Sequence, residues 1–291
     1  MFSISYWSTL KASTPHDSGS LQGICSRTLE TGATSTECKV NKRIVVVVLA
    51  VLMAAVAYPQ TTDLITLARN GAPRDLQTAI SKGGDVNTLG EDNWTLLMAA
   101  SQSNPDPEVI TLLVKNGAKV EAIDDWRHMT ALMIAAQFNS NAKVISALVK
   151  AGASLKAVDK SGRTALTYAA QYSQNPEVIS ALLKAGADLE FSDSDGQNAL
   201  MYAAQYNKNT EVISALLNAG ARKEARDKTG STSIILAAKK NQNPDVIVRL
   251  LNAGANAKAK NKLGDMALDY AQYNSSLKGT DALKKLEEAS K

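Results

Sequence analysis

The sequence predicts an all-α solenoid of helix-turn-helix units joined by hairpin-like finger loops. Three observations predict it. A phrase recurs: AAQYSQNPEVISALLKAGA, Ala169 to Ala187, returns as AAQYNKNTEVISALLNAGA, Ala203 to Ala221, unchanged at 15 of 19 positions after a shift of 34 residues. Related copies begin at Ala100, Ala135 and Ala237, and a fixed period of this size marks a stacked-repeat architecture. Within each copy the apolar residues fall at helical spacing. The composition, 45% hydrophobic with only 5% aromatic, suits helices packed through small side chains.

Taken in order, residues 1–39 are rich in Ser and Thr and without periodicity, so they read as a non-native or disordered leader. Residues 40–57 have the three parts of a secretory signal: Lys42 and Arg43, an apolar run from Ile44 to Ala57, and a closing Ala55-Val56-Ala57. Cleavage is expected between Ala57 and Tyr58. The 14 apolar residues of that run fall short of the roughly 20 that span a bilayer as a helix; an uncleaved anchor through 44–57 is the alternative. A biological start at Val40, read from an alternative initiation codon, would leave an 18-residue signal. Cys25 and Cys38 both precede the cleavage point, so the mature chain needs no disulfide chemistry. The expected location is periplasmic or secreted, with no membrane contact after cleavage.

The repeating region runs from 58 to 291, with a first unit at 61–88, five central units over 89–260 and a last unit at 261–291. In one central unit Asn175 is placed to cap a helix, Pro176 suits its first position and Glu177 meets its positive end. Val178, Ile179, Leu182 and Leu183 make the apolar stripe, and Gly186 ends the helix in the left-handed conformation. A shorter helix, TALTYAAQY from Thr164 to Tyr172, pairs with it, and Ala169 and Ala170 let the two approach closely. The polar stretch ADLEFSDSDGQN follows, with a tight turn at Gly196. Two such helices cannot bury their apolar faces alone, so neighbours must supply the rest, and the charged last unit has the water-facing character of a cap.

A short helix pair followed by a D-x-x-G turn resembles the ankyrin repeat, here in an exported bacterial setting. The 34-residue tetratricopeptide repeat has longer, tightly joined helices and a different residue pattern. The resemblance covers nearly all of the mature chain. The family's Thr-Pro-Leu-His stretch is represented by TLLM, TALM, TALT, NALM and TSII, so the hydrogen bonds its His supplies must be replaced. The turn within each pair is one residue longer than the family's, filled by Asn139, Ser173, Asn207 and Asn241; Asn there is expected to adopt the left-handed backbone. The loop DDWRHMT, Asp124 to Thr130, carries an extra residue.

Little enzymatic chemistry fits these residues. After Tyr58 there is one histidine, His128, and no cysteine, which leaves no metal cluster or Cys-His pair. No phosphate-cradling glycine loop or nucleophile elbow occurs, and no cofactor is implied. Asp193 and Asp195 read as turn caps, and His128 as a surface residue. A net charge of +4 is small for a dedicated nucleic-acid binder.

Recognition by a monomeric scaffold remains. The resemblance implies a concave surface lined by finger tips and by the residues after each Ala-Ala pair: Gln137 and Phe138, Gln171 and Tyr172, Gln205 and Tyr206, then Lys239 and Lys240. Tyrosine at such positions joins apolar area to a polar tip; packing on neighbouring helices is the competing role, and Tyr168 and Tyr202 read as core. Trp94 and Trp126 fall on turn segments, as partner clamps or as shields for the first repeats. Charge is uneven, with seven acids and two lysines over Thr88 to Trp126 but ten basic residues and three acids over Arg222 to Lys262. Such a gradient orients an approaching protein.

Overall fold

The computed structural model describes residues 64–291; Ala57, Tyr58 and the signal pattern lie outside them. The first helices of successive units are α1 (64–70), α3 (Leu96–Ser103), α5 (Ala131–Phe138), α7 (Ala165–Tyr172), α9 (Ala199–Tyr206), α11 (Ser233–Lys240) and α13 (Ala267–Ala271). The second helices are α2 (Pro73–Ser81), α4 (Pro107–Lys115), α6 (Ala142–Lys150), α8 (Pro176–Lys184), α10 (Thr210–Asn218), α12 (Asp245–Asn252) and α14 (Asp281–Ser290). From α3 to α13 each first helix packs on the first helices of its neighbours, and from α2 to α14 each second helix on second helices. The result is two helical layers with the core between them. The described residues hold no strand; isolated antiparallel bridges join Leu89 to Thr95 and Ile123 to Thr130.

Helices of eight or nine residues are too short to persist alone in water, so their ends and faces carry the information. Thr95, Thr130, Thr164 and Asn198 cap four of the five central first helices by accepting the backbone N–H three residues on. Asp106, Asn141, Asn175 and Asn209 cap second helices by accepting from the residue two positions on. The paired alanines are buried in every central unit, Ala169 and Ala170 completely, as are Val178, Ile179 and Leu182 of α8. Leu183 is half-buried and packs against that core. Gly186 takes φ 95°, the left-handed termination that a Cβ disfavours.

The asparagines of the intra-pair turn do not take the left-handed backbone. Asn139, Asn207 and Asn241 are extended, with φ of −96°, −83° and −68°, and Ser173 is extended as well. Their side chains are turned inward instead. Asn207 Nδ2 donates to the carbonyls of Ala170 (3.0 Å) and Ser173 (2.8 Å) in the preceding unit, while its Oδ1 accepts the Asn209 N–H at 2.9 Å. Asn104, Asn139, Asn241 and Asn274 repeat this arrangement on their own preceding units. The acceptors lie at or just beyond the C-terminal turns of first helices, where backbone carbonyls lack intrahelical partners. Each unit therefore caps the one before it. Asn141, Asn175, Asn209 and Asn243 add a second row by donating to the carbonyls of Pro105, Ser140, Gln174 and Lys208.

Ser173 interrupts the first row, because its hydroxyl reaches only its own turn, at Asn175. Asn207→Ala should then cost about 2–3 kcal/mol, leaving two buried carbonyls unpaired. Ser173→Asn, in the same extended backbone, should gain about 1 kcal/mol. Urea unfolding of both variants checks this; an Asn207→Ala midpoint equal to wild type would remove the row from the stability account.

Fingers are stitched in a similar way. One backbone hydrogen bond passes between each adjacent pair, from Asp125 to Asp92, Lys160 to Arg127, Ser194 to Ser161, Lys228 to Asp195 and Lys262 to Thr229. Gly162 has φ +80°, and a Cβ there would stand 3.0 Å from the Ser194 nitrogen. Glycine is thus required twice, for conformation and for the approach of the next finger. The corresponding places two residues before the cap in the first two fingers are held by Asn93 (φ 58°) and His128 (φ 58°). His128→Gly should raise stability by roughly 0.5–1 kcal/mol, whereas Gly162→Ala should lower it by about 1–2 kcal/mol or more. Thermal unfolding of the pair would contradict this finger geometry if the two shifts had the same sign.

Candidate functional site

The residues after the Ala-Ala pairs close four successive first helices, and their repeat register forms one column. Gln137 and Phe138 end α5, Gln171 and Tyr172 end α7, Gln205 and Tyr206 end α9, and Lys239 and Lys240 end α11. Phe138 is 54% exposed, Tyr172 40% and Tyr206 42%, although each is a large apolar surface. The glutamines lie deeper, Gln137 and Gln171 half-buried and Gln205 buried. In all three the side-chain Oε1 is buried without a hydrogen-bond partner.

The exposed rings rest on fixed ones. Tyr172 stacks on Tyr168 with centroids 6.3 Å apart, and Tyr206 lies 6.1 Å from Tyr202. Tyr168 is fully buried and Tyr202 nearly so. Their phenols donate to finger carboxylates, Tyr168 to Asp159 at 2.7 Å and Tyr202 to Asp193 at 2.6 Å, and Tyr270 donates to Asp265 at 2.8 Å. These bonds tie a first helix to its finger, the task left open by the missing His of the Thr-Pro-Leu-His stretch. At the column's far end Lys240 sits over Tyr206, 5.3 Å from the centroid with Nζ 3.2 Å from the phenol oxygen, and Lys239 over Tyr270 at 5.0 Å.

Asp159 is the most heavily engaged carboxylate. It accepts from the amides of Ser161 and Arg163, from the Arg163 guanidinium and from Tyr168. Burial alone would raise its pKa, but the Arg163 amide, the Tyr168 phenol and the Arg163 guanidinium outweigh that and hold it below the usual carboxylate value. Burial and the bond to the carboxylate push the Tyr168 and Tyr202 phenols upward. Asp193 caps its turn through the amides of Asp195 and Gln197. Sequence reasoning placed Tyr168 and Tyr202 in the core without their carboxylate partners. The signal was there: an Asp stands nine residues before each Tyr.

The two tryptophans have different surroundings. Trp94 is half-buried against the core, with its indole nitrogen buried and unpaired, while Trp126 is 75% exposed with the Arg127 guanidinium 5.5 Å from its ring. His128 is exposed. A shallow groove of about 620 Å³ lies between α4 and α6 in the second-helix layer, lined by Thr111, Val114, Ser146 and Ala147 among others. Among the described residues no group of His, Cys, Asp and Glu is arranged to hold a metal ion, and no helix is long and apolar enough to cross a membrane.

Paired helices in series, left-handed glycines and hydrogen-bonded fingers agree with the comparisons to known families. Models described as Ankyrin repeats (3 copies) match residues 64–159 and 141–227, and one described as Ankyrin repeats (many copies) matches 216–271. The chain belongs to the ankyrin-repeat family. Among solved structures, the human ASB11 ankyrin repeat domain is similar with a TM-score of 0.67 at 22% identity, over 78% of this chain and 96% of that one; a likeness at this identity concerns the fold. The comparison with curated proteins gave no match. Ankyrin repeats are in general protein-interaction modules of a non-enzymatic kind, and the column described above occupies this ankyrin domain's first-helix layer.

The lowered Asp159 pKa makes a signed prediction. A group whose folded pKa is depressed stabilises above its unfolded value, about 4, and loses that contribution as pH falls through the folded value. Asp159→Asn should therefore be less stable than wild type at pH 7, with the gap closing as the pH falls below about 4. Parallel urea titrations at pH 7 and pH 3 measure it; a gap that widens in acid would reverse the assignment.

Proposed function

We propose that this protein is a non-enzymatic scaffold or regulator that binds a protein partner on the concave face of the ankyrin domain, across its fingers and first helices. The observation that carries this reading is the column of Phe138, Tyr172 and Tyr206. Exposed rings on consecutive units, two of them seated on buried tyrosines fixed to finger carboxylates, supply large contact area at low ordering cost. Lys239 and Lys240 continue the column with positive charge, and Trp126 offers a further exposed anchor on a finger. Trp94, half-buried, contributes more to covering the first units. The signal pattern ahead of Tyr58 supports a periplasmic or secreted site of action. It also favours a second reading, a released effector or inhibitor acting on a foreign or host protein; fractionation separates the two, since retention in the periplasm supports a resident scaffold and release to the medium an effector.

A partner captured by the wild-type chain should be lost on Tyr172→Ala with Tyr206→Ala, and retained on Thr111→Ala with Ser146→Ala in the opposite layer. Surface-binding kinetics with that partner should show the tyrosine variant dissociating at least about ten-fold faster, since a few aromatic anchors carry most interface affinity. Lys239→Gln with Lys240→Gln should act mainly on the association rate and flatten its salt dependence. Wild-type kinetics in the tyrosine variant, with helicity intact, would move the site off this face.

A further inference from the structure

We infer that this chain pairs with a second copy of itself along its row of finger tips, the two rows running antiparallel about a two-fold axis between the third and fourth fingers. The inference goes beyond the partner-binding reading, which rests on the rings at the ends of the first helices.

The fingers that precede α3, α5, α7, α9, α11 and α13 form one row, since each is joined to the next by a backbone hydrogen bond. Their exposed charges change sign along it. The first tip presents Glu91 and Asp92, the second Asp125, the third Lys160 and the fourth Asp195. Arg226 and Lys228 follow on the fifth, and Lys260 and Lys262 on the sixth. The remaining charged side chains of these tips are turned inward. Asp124, Asp159 and Asp227 are buried on turn amides, Asp193 and Asp265 accept from phenols, and Arg127 and Arg163 are half-buried beside Tyr168. In order, the exposed signs are negative, negative, positive, negative, positive, positive.

That order is antisymmetric about the middle of the row. A two-fold axis there sets the first finger of one copy opposite the sixth of the other, the second opposite the fifth and the third opposite the fourth. Every such pairing joins opposite signs. The interface is isologous, so each pairing is made twice. A second copy also needs no fitted spacing, because its row repeats the interval of the first. Other arrangements fail on sign. Parallel rows in register set like over like throughout, and sliding an antiparallel row by one finger either way does so in two of its three distinct pairings. An anionic polymer laid along the row would meet Glu91, Asp92, Asp125 and Asp195 as well as the lysines.

Apolar groups fall in the same register. Trp126, the most exposed ring of the second tip, comes opposite Arg226 and Lys228 of the fifth, an indole face set before cations. Exposed Leu89 of the first tip comes opposite exposed Leu263 of the sixth. Single exposed ion pairs contribute little and are screened by salt, so the pairing depends on all of its junctions together and on low ionic strength. The monomeric scaffold expected from the sequence is then the dilute form. Pairing also covers Trp126, which couples self-association to the exposure of that ring toward a partner.

The test is sedimentation equilibrium of the purified full chain at about 0.05 M and about 0.5 M salt, between which the screening length falls roughly three-fold. Wild type should show a monomer and dimer in equilibrium at low salt, with no larger species, and a dissociation constant at least about ten-fold higher at high salt. Glu91→Lys with Asp92→Lys makes both ends of the row basic, and Lys260→Glu with Lys262→Glu makes the first and sixth tips acidic. Each variant alone should dissociate at least about ten-fold more readily than wild type. Mixed in equal amounts, the two should form a heterodimer, because both outer pairings again join opposite signs. Lys143→Glu with Lys150→Glu, exposed on α6 in the other layer, makes the same charge change and should leave the dissociation constant unaltered. Circular dichroism confirms that each variant is folded. A chain that stays monomeric up to about 1 mM at low salt, growth beyond the dimer as in an open head-to-tail chain, a wild-type constant in either reversed variant, or reversed variants that stay apart on mixing would overturn the inference. The partner face is judged separately, by Tyr172→Ala with Tyr206→Ala against the captured partner.

Discussion

The stacking of the units depends on one recurrent interaction, the buried asparagine carboxamide that closes the helix of the unit before it at every junction except that of Ser173. A helix of eight residues leaves half of its carbonyls without intrahelical partners, and burying them beside the small paired alanines gives little area to offset that. Asn207 supplies Nδ2 to Ala170 and Ser173 while its own oxygen takes the Asn209 amide, so the polar groups that the junction buries are met in one place. Isolated units lack this partner. Stability in such an array is a sum of unit and interface terms, and here the interface term includes the hydrogen bonds that terminate each helix.

The fingers follow the same logic with backbone atoms. Each is joined to the next by a single main-chain bond, close enough that Gly162, Gly196 and Gly230 would each set a Cβ within 3.1 Å of the neighbouring finger. The Tyr-Asp ties then fix finger to helix within units. Turn, helix and neighbour are mutually determined, which leaves the exposed position after each alanine pair free of structural duty. Phe138, Tyr172, Tyr206 and Lys240 occupy that position, exposed at the ends of their helices.

The two rows of tyrosine differ in how they are held. The inner ring is buried and bonded to a carboxylate; the outer ring lies against it and faces outward. The inner row is a structural element and the outer row an available one, although both are tyrosines four residues apart on one helix. Burial and hydrogen bonding, not residue type, separate the two roles.

Much of this was legible in the sequence because its information is local. The helix cap at Asn175, the apolar stripe of Val178, Ile179 and Leu182 and the left-handed Gly186 all follow from rules that span a few residues, and the 34-residue period repeats them. Reading Asn139, Asn207 and Asn241 as left-handed turn residues applied the same local rule where it does not hold. Their carboxamide acceptors lie 34 to 38 residues back in the chain, and only the stacking of units brings those carbonyls within reach. The Tyr168 phenol likewise meets Asp159 only once the finger folds back over its helix. The sequence by itself determined which segments become helices, where they end and that they stack. The tertiary structure decided which polar side chains turn inward, because a buried amide or phenol is stable only where neighbouring units present its partner.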